Sequence, residues 1–140
     1  YSVDEVKSLL QEKSGMLGLT GYSDLREIET AASQGDEACN LALKMNAYRV
    51  KKYIGAYTAA MNGLDTLVFT AGIGENSDLL RSLICADMGF FGIHLDEDKN
   101  RVREHSIREI QTDGAEVSLL VVPTNEELEI SKQSFQLLST

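Results

Sequence analysis

Residues 67–80 read LVFTAGIGENSDLL. The run Asp65-Thr66-Leu67-Val68-Phe69-Thr70 has little polar alternation, which predicts a strand apolar on both faces and interior to a sheet. It breaks into Ala71-Gly72-Ile73-Gly74-Glu75-Asn76, and Leu79, Leu80, Leu83 and Ile84 then mark a helix that Gly89 closes. Closely spaced backbone N–H groups with a helix opening behind them, near Asn76 or Ser77, suit a phosphate, and Gly72 and Gly74 give clearance for it. The pattern is not a P-loop, since no Gly-Lys-Ser/Thr follows. It is not the dinucleotide fingerprint either, since Ser77 stands in the third glycine's place. A tight strand-to-helix turn that needs glycines only for its geometry explains the same residues.

The flanking elements place this turn in an α/β unit. From Glu37 to Asn62 nothing but Gly55 interrupts a long helix whose stripe runs Leu43, Ala47, Val50, Ile54, Tyr57 and Met61, with Lys44, Lys51 and Lys52 off it. Asn62-Gly63 suits a left-handed cap. Val6, Leu9 and Leu10 predict a surface helix over 3–13 with one buried face, which Ser14, Gly15, Gly18 and Gly21 break. A helix capped by Ser23 or Asp24 runs to about Ala32, and Asp24 with Glu27 fits an Asp form of the capping box. SIREIQTDGAEVSLLVVPT reads as two strands around Asp113-Gly114, with a loop longer than two residues, and 124–138 as a closing amphipathic helix.

The 140 residues suffice for one domain with a real core, or a piece of one. Twenty-two acids against 13 bases give a net charge of −9, so no broad basic face exists for nucleic acid or an anionic membrane, and any phosphate must be held locally. No apolar run approaches the length of a membrane span and no basic-then-apolar segment opens the chain, which makes the cytoplasm the expected location. Cys39 and Cys85 lack metal or redox spacing and read as reduced core residues. The chain opens on Tyr1 rather than Met, so we expect a fragment or a processed product.

Three loops carry candidate chemistry. Glu75 beside a polyphosphate would repel it unless a cation or a ribose intervened, and it reads equally as a solvated acid near a helix N-terminus. Thr124 and Glu127 form a capping box, which explains Glu127 and leaves Glu126. Glu126 could hold Mg²⁺ through its waters, because that ion takes one or two carboxylates plus phosphate oxygens; a solvated first-turn acid is the alternative. Asp24 and Arg26 read as a cap and a surface charge. His94 and His105 have no partner at catalytic spacing.

SGMLGLTGYSDLREI, YRVKKYIGAYTAAMNGLDTLVFTAGIGENS, FGIHLDEDKNRV and VVPTNEELEI resemble, in order and spacing, the C-terminal end of acetate kinases, over nearly the whole chain. The resemblance implies an α/β fold, a mixed sheet with packed helices, forming residues 1–140 as the C-terminal part of the second actin-like (RNase H-like) ATPase domain. It implies transfer of the ATP γ-phosphoryl group to acetate, giving acetyl phosphate and ADP, with Mg²⁺, in cytoplasmic homodimers. By motif, Gly72, Ile73, Gly74, Glu75 and Asn76 match the family's nucleotide loop. Asp24, Leu25 and Arg26 match its second nucleotide segment, with Leu25 where Met or Phe is frequent, and Glu126 matches its Mg²⁺-associated glutamate.

The family's Asn-x-Gly-Ser-Ser phosphate loop, its catalytic Arg and His and its acetate pocket match sequence upstream of Tyr1. No catalytic residue is therefore assigned here, and the chain alone is expected to be inactive. A propionate or butyrate kinase segment and a non-catalytic nucleotide-binding or dimerisation module are the alternatives.

Overall fold

The computed structural model describes residues 1–139. Its order is α1 (Val3–Glu12), α2 (Gly15–Thr20), α3 (Leu25–Ser33), α4 (Glu37–Met61), β1 (Thr66–Thr70), α5 (Ala71–Asn76), α6 (Asp78–Cys85), a 3₁₀ turn (Gly89–Phe91), α7 (Glu97–Arg101), β2 (Arg108–Glu109), β3 (Ser118–Val122) and α8 (Glu126–Leu138). The three strands form a mixed sheet in the order β1-β3-β2. β1 runs parallel to β3 with Phe69 opposite Val121, and β2 runs antiparallel to it with Glu109 opposite Leu120.

β3 is central, and every second side chain, Leu119 and Val121, is wholly buried. β1, expected in the interior, lies at an edge among the described residues, and Val68 is 48% exposed. Its apolar run reports what covers its faces and carries no information about which edge is hydrogen-bonded. The main core packs Phe69, Leu80, Ile84, Met88, Ile93, Ile110, Val117, Leu119 and Val121, while a second cluster joins Ile28 and Ala32 of α3 to Cys39 and Leu43 of α4. Leu25 and Leu83 pack against both clusters and join them.

The long helix matches its expected span, closed by Asn62 at φ 61. Its stripe is buried only at the N-terminal end: Leu43 and Ala47 are covered, whereas Tyr57 and Met61 are 63% and 62% exposed. Lys51, on the wet side, donates from Nζ to the Ala86 carbonyl at the end of α6, where a cation complements unpaired helix carbonyls. That helix ends at Cys85, earlier than Gly89, and Asp87 makes the exit with φ 57. Both cysteines are free and buried; burial raises the Cys39 thiol and pushes the Cys85 thiol up to about 12, which makes them inert packing groups.

Several local expectations are corrected. α1 forms with a true capping box between Ser2 and Glu5, but none of its residues is buried, so its apolar face is not covered within this chain. The glycine-punctuated stretch after it winds into α2, closed by Gly21 at φ +80. The Asp113-Gly114 connection is longer than a two-residue turn, as expected, since β2 ends at Glu109 and β3 starts at Ser118. In α8, Asn125 is the cap, its Oδ1 accepting the Leu128 N–H, and Thr124 is engaged elsewhere. The Thr124–Glu127 capping box therefore does not form, and the reasoning that set Glu127 apart from Glu126 falls with it. No residue of α8 is buried, and Phe135, Leu137 and Leu138 are largely exposed.

Candidate functional site

Asp24 caps α3 by accepting the Arg26 N–H at 2.9 Å, a bond that reaches two residues on rather than closing a box with Glu27. The same carboxylate takes the Arg26 Nε at 3.0 and 3.1 Å on its two oxygens, so acid and guanidinium are spent on each other. The Arg26 side chain, foremost, and then its backbone N–H hold the Asp24 carboxyl down at about 2, against an ordinary 3.8. Any stability this pair contributes is therefore present above about pH 3.8 and is lost as the pH falls through about 2. An NMR titration is expected to place the Asp24 midpoint near 2. In Arg26→Ala it should rise most of the way to 3.8, stopping short because the backbone bond remains.

The glycine turn is itself helical. α5 begins directly at the end of β1, and Ala71 takes φ 57, so the left-handed residue of the turn is an alanine while Gly72 and Gly74 have ordinary backbone angles. The two glycines differ in kind. A Cβ on Gly72 would meet nothing within 4 Å, whereas one on Gly74 would lie 3.1 Å from the Phe69 carbonyl carbon and 3.4 Å from its Cα. Gly72 leaves open space; Gly74 lets α5 pack on β1. Clearance for a ligand is thus a property of Gly72 alone, and the expectation that both supply it is corrected.

Glu75 is not a free solvated acid. Its Oε1 accepts both the N–H and the hydroxyl of Thr124 at 2.8 Å, across 49 residues of chain. The Thr124 N–H, then its hydroxyl, with smaller contributions from the Ala71 N–H and His105, hold the Glu75 carboxyl below its ordinary 4.5. This clasp sets the end of β3 and the start of α8 against the glycine turn. Glu126, the first residue of α8, is exposed two residues beyond the clasp.

A cleft of about 890 Å³ is lined by Asp24, Leu25 and Arg26 on one side and by Gly72, Ile73 and Asn76 on the other, with Arg103 at its margin. Ser77 closes its base: its Oγ accepts the Leu80 N–H as the cap of α6 and donates to the Glu29 carboxylate of α3. Six of the residues singled out from sequence thus share one cleft. Gly74, Glu75 and Glu126 are not in its lining; the first two shape the turn from behind. Arg103, Met16 and Asn46 are lining residues the sequence did not reveal, since neither periodicity nor a motif marks them, whereas Ser77 was read only as a helix opening.

A lone exposed carboxylate fits Mg²⁺, which draws most of its ligands from water and phosphate. Among the described residues no cluster of three or more His, Cys, Asp or Glu could hold a metal ion by itself. No helix among them is long and apolar enough to cross a membrane.

The chain is 61% identical over 138 residues to an acetate kinase of Flavobacterium johnsoniae, covering 99% of this chain and 35% of that protein. A crystal structure of Porphyromonas gingivalis acetate kinase superposes with a TM-score of 0.87 at 43% identity, over 99% of this chain and 35% of that one. A propionate kinase from Francisella tularensis gives 0.82 at 37% identity, over 93% of this chain and 33% of that one. The chain thus spans about a third of the length of these relatives, and its mixed sheet with packed helices matches part of their actin-like ATPase fold. The model of the acetokinase family matches residues 1–132, so that both the glycine turn and the Asp24-Leu25-Arg26 segment fall inside it, and the chain belongs to the acetokinase family.

Proposed function

We propose that this chain is the nucleotide-binding portion of an acetate kinase, the C-terminal part of its second domain. Such an enzyme moves the γ-phosphoryl group of ATP to acetate and releases acetyl phosphate and ADP. The observation that carries the reading is the single cleft shared by Asp24-Leu25-Arg26 and Gly72-Ile73-Asn76, two segments some fifty residues apart in the chain. Gly72 offers open backbone to a phosphate, Arg103 brings positive charge to the margin while Arg26 is neutralised by Asp24, and Leu25 and Ile73 provide apolar wall. Mg²⁺, held through water by Glu126, would neutralise phosphate charge, the main electrostatic task in phosphoryl transfer.

The chain's own residues bind and orient the nucleotide. One wall of a cleft does not exclude water, so the chain alone is expected to bind Mg-ADP weakly and to give no acetyl phosphate in a coupled assay. Turnover that survives further purification would overturn that assignment of roles. In the full natural protein, Mg-ATP with acetate is expected to give acetyl phosphate, and absence of transfer to any short carboxylic acid would sink the reading. A related enzyme acting on propionate is favoured to a lesser degree by the Francisella tularensis propionate kinase structure. Comparing kcat/KM for acetate, propionate and butyrate separates the two.

A cytoplasmic homodimer completes the proposal. The uncovered apolar residues of α8, Phe135, Leu137 and Leu138, support it, because exposed apolar surface favours association. Light scattering giving a monomer mass for the full protein would refute it.

A further inference from the structure

Arg81 is 2% exposed, yet no carboxylate pairs with it among the described residues. Its guanidinium is held by neutral groups. Nη1 donates to the carbonyls of Gly74 at 2.8 Å and Glu75 at 3.0 Å, Nε to Asn100 Oδ1 at 2.7 Å, and Nη2 to the Asn100 carbonyl at 2.8 Å. Asn100, 1% exposed, is itself fixed, its Nδ2 donating to the Asp78 carbonyl at 2.9 Å and to Ser82 Oγ at 3.0 Å. A buried cation with no carboxylate in contact, the Asp78 charge acting only from a distance, is costly, so an arrangement that keeps one calls for a reason beyond filling space.

The partners supply that reason. Carbonyls in the last turn of a helix lack intrahelical donors, and Gly74 and Glu75 lie in the last turn of α5. A planar guanidinium can grip two successive carbonyls on one edge and an anchor on the other, which a flexible ammonium cannot do at once. Gly74 is the residue with no room to move against Phe69. Arg81 therefore grips the turn at its tightly packed end, while the Glu75–Thr124 clasp holds it from the β3 side. Gly72 and Asn76 are left facing the cleft.

We infer that Arg81, anchored by Asn100, is a positioning residue for nucleotide binding: it holds the glycine turn preformed and sets a fixed positive charge behind it. The inference rests on the nucleotide reading of the cleft. Both features act on the phosphates and neither reaches the acyl acceptor, so the effect should fall on one substrate only.

In the full natural protein, Arg81→Lys keeps the charge and loses the fork, and Arg81→Gln loses both. Arg81→Lys is expected to raise the nucleotide KM at least tenfold and Arg81→Gln further, with the acetate KM within twofold of wild type. Equal losses on both substrates, or an unchanged nucleotide KM in a folded variant, would overturn the inference. Should the variants fail to fold, hydrogen exchange on the wild-type protein decides. The amides of 75–77, which bond back along α5 as the Ser77 N–H does to the Ile73 carbonyl, are expected to be as protected without nucleotide as those of α6. Fast exchange that slows only on adding Mg-ADP would show that the turn is not preformed. Wild-type protein that binds no Mg-ADP by calorimetry would instead refute the nucleotide reading itself.

Discussion

Gly72→Val is expected to leave the unfolding midpoint close to wild type while lowering Mg-ADP affinity at least tenfold, whereas Gly74→Val is expected to lower the midpoint. The two residues stand two apart in one six-residue helix, so chemistry and propensity are matched and only surroundings differ. At Gly72 a new side chain enters open space at the cleft and meets no protein atom within 4 Å. The folded state is not strained there, and reduced freedom of the unfolded chain acts in its favour. A ligand phosphate resting on that backbone would be displaced, and a tenfold loss corresponds to only about 1.4 kcal/mol.

At Gly74 the contact at 3.1 Å is with the backbone of β1, which cannot swing aside as a side chain could. Forcing atoms into such a site costs about 1–3 kcal/mol. That is a large part of a typical domain's margin and lowers the melting temperature by several degrees. Thermal melts and calorimetric titrations on both variants test the pair together. If Gly74→Val kept full stability but lost nucleotide, the division of roles would be wrong.

Leu119→Ala is expected to cost about 2–5 kcal/mol of stability, through lost burial and the cavity left behind. Leu119 is wholly buried in the central strand, and its core cluster includes Phe69 of β1, Leu80 and Ile84 of α6, and Ile110 just after β2. The same strand carries Thr124 at its C-terminal end to Glu75, so loosening it frees the glycine turn as well. Val68→Ala is the control: it is of similar character but half-exposed at the sheet edge, and should cost well under half as much. Urea denaturation with unchanged m-values would report both, and equal losses at the two positions would contradict the assigned burial.

What could be read from sequence follows the range of the interactions involved. The long α4 was legible because its periodicity and its Asn62-Gly63 cap are local, and β1 and β3 because apolar runs and turn residues are local too. The family could be read from four segments, and with it six residues that the structure places in one cleft. Local patterns also misled: Thr124-x-x-Glu127 has the form of a capping box, but the Thr124 hydroxyl is taken by Glu75, 49 residues away in the chain. Asp24-x-x-Glu27 failed likewise, because Arg26 was the nearer partner.

The sequence by itself determined the α/β class, the glycine turn between β1 and the helices that follow, and the identity of the candidate binding segments. Tertiary structure alone decided that β3 and not β1 is central, that Gly72 faces the cleft while Gly74 packs on Phe69, and that Arg81 is buried against the Gly74 and Glu75 carbonyls. The reason is physical: helix periods, caps and turn glycines act over a few residues of backbone. Sheet order, burial of a charge and the free space beside a Cα depend on which distant segments arrive there.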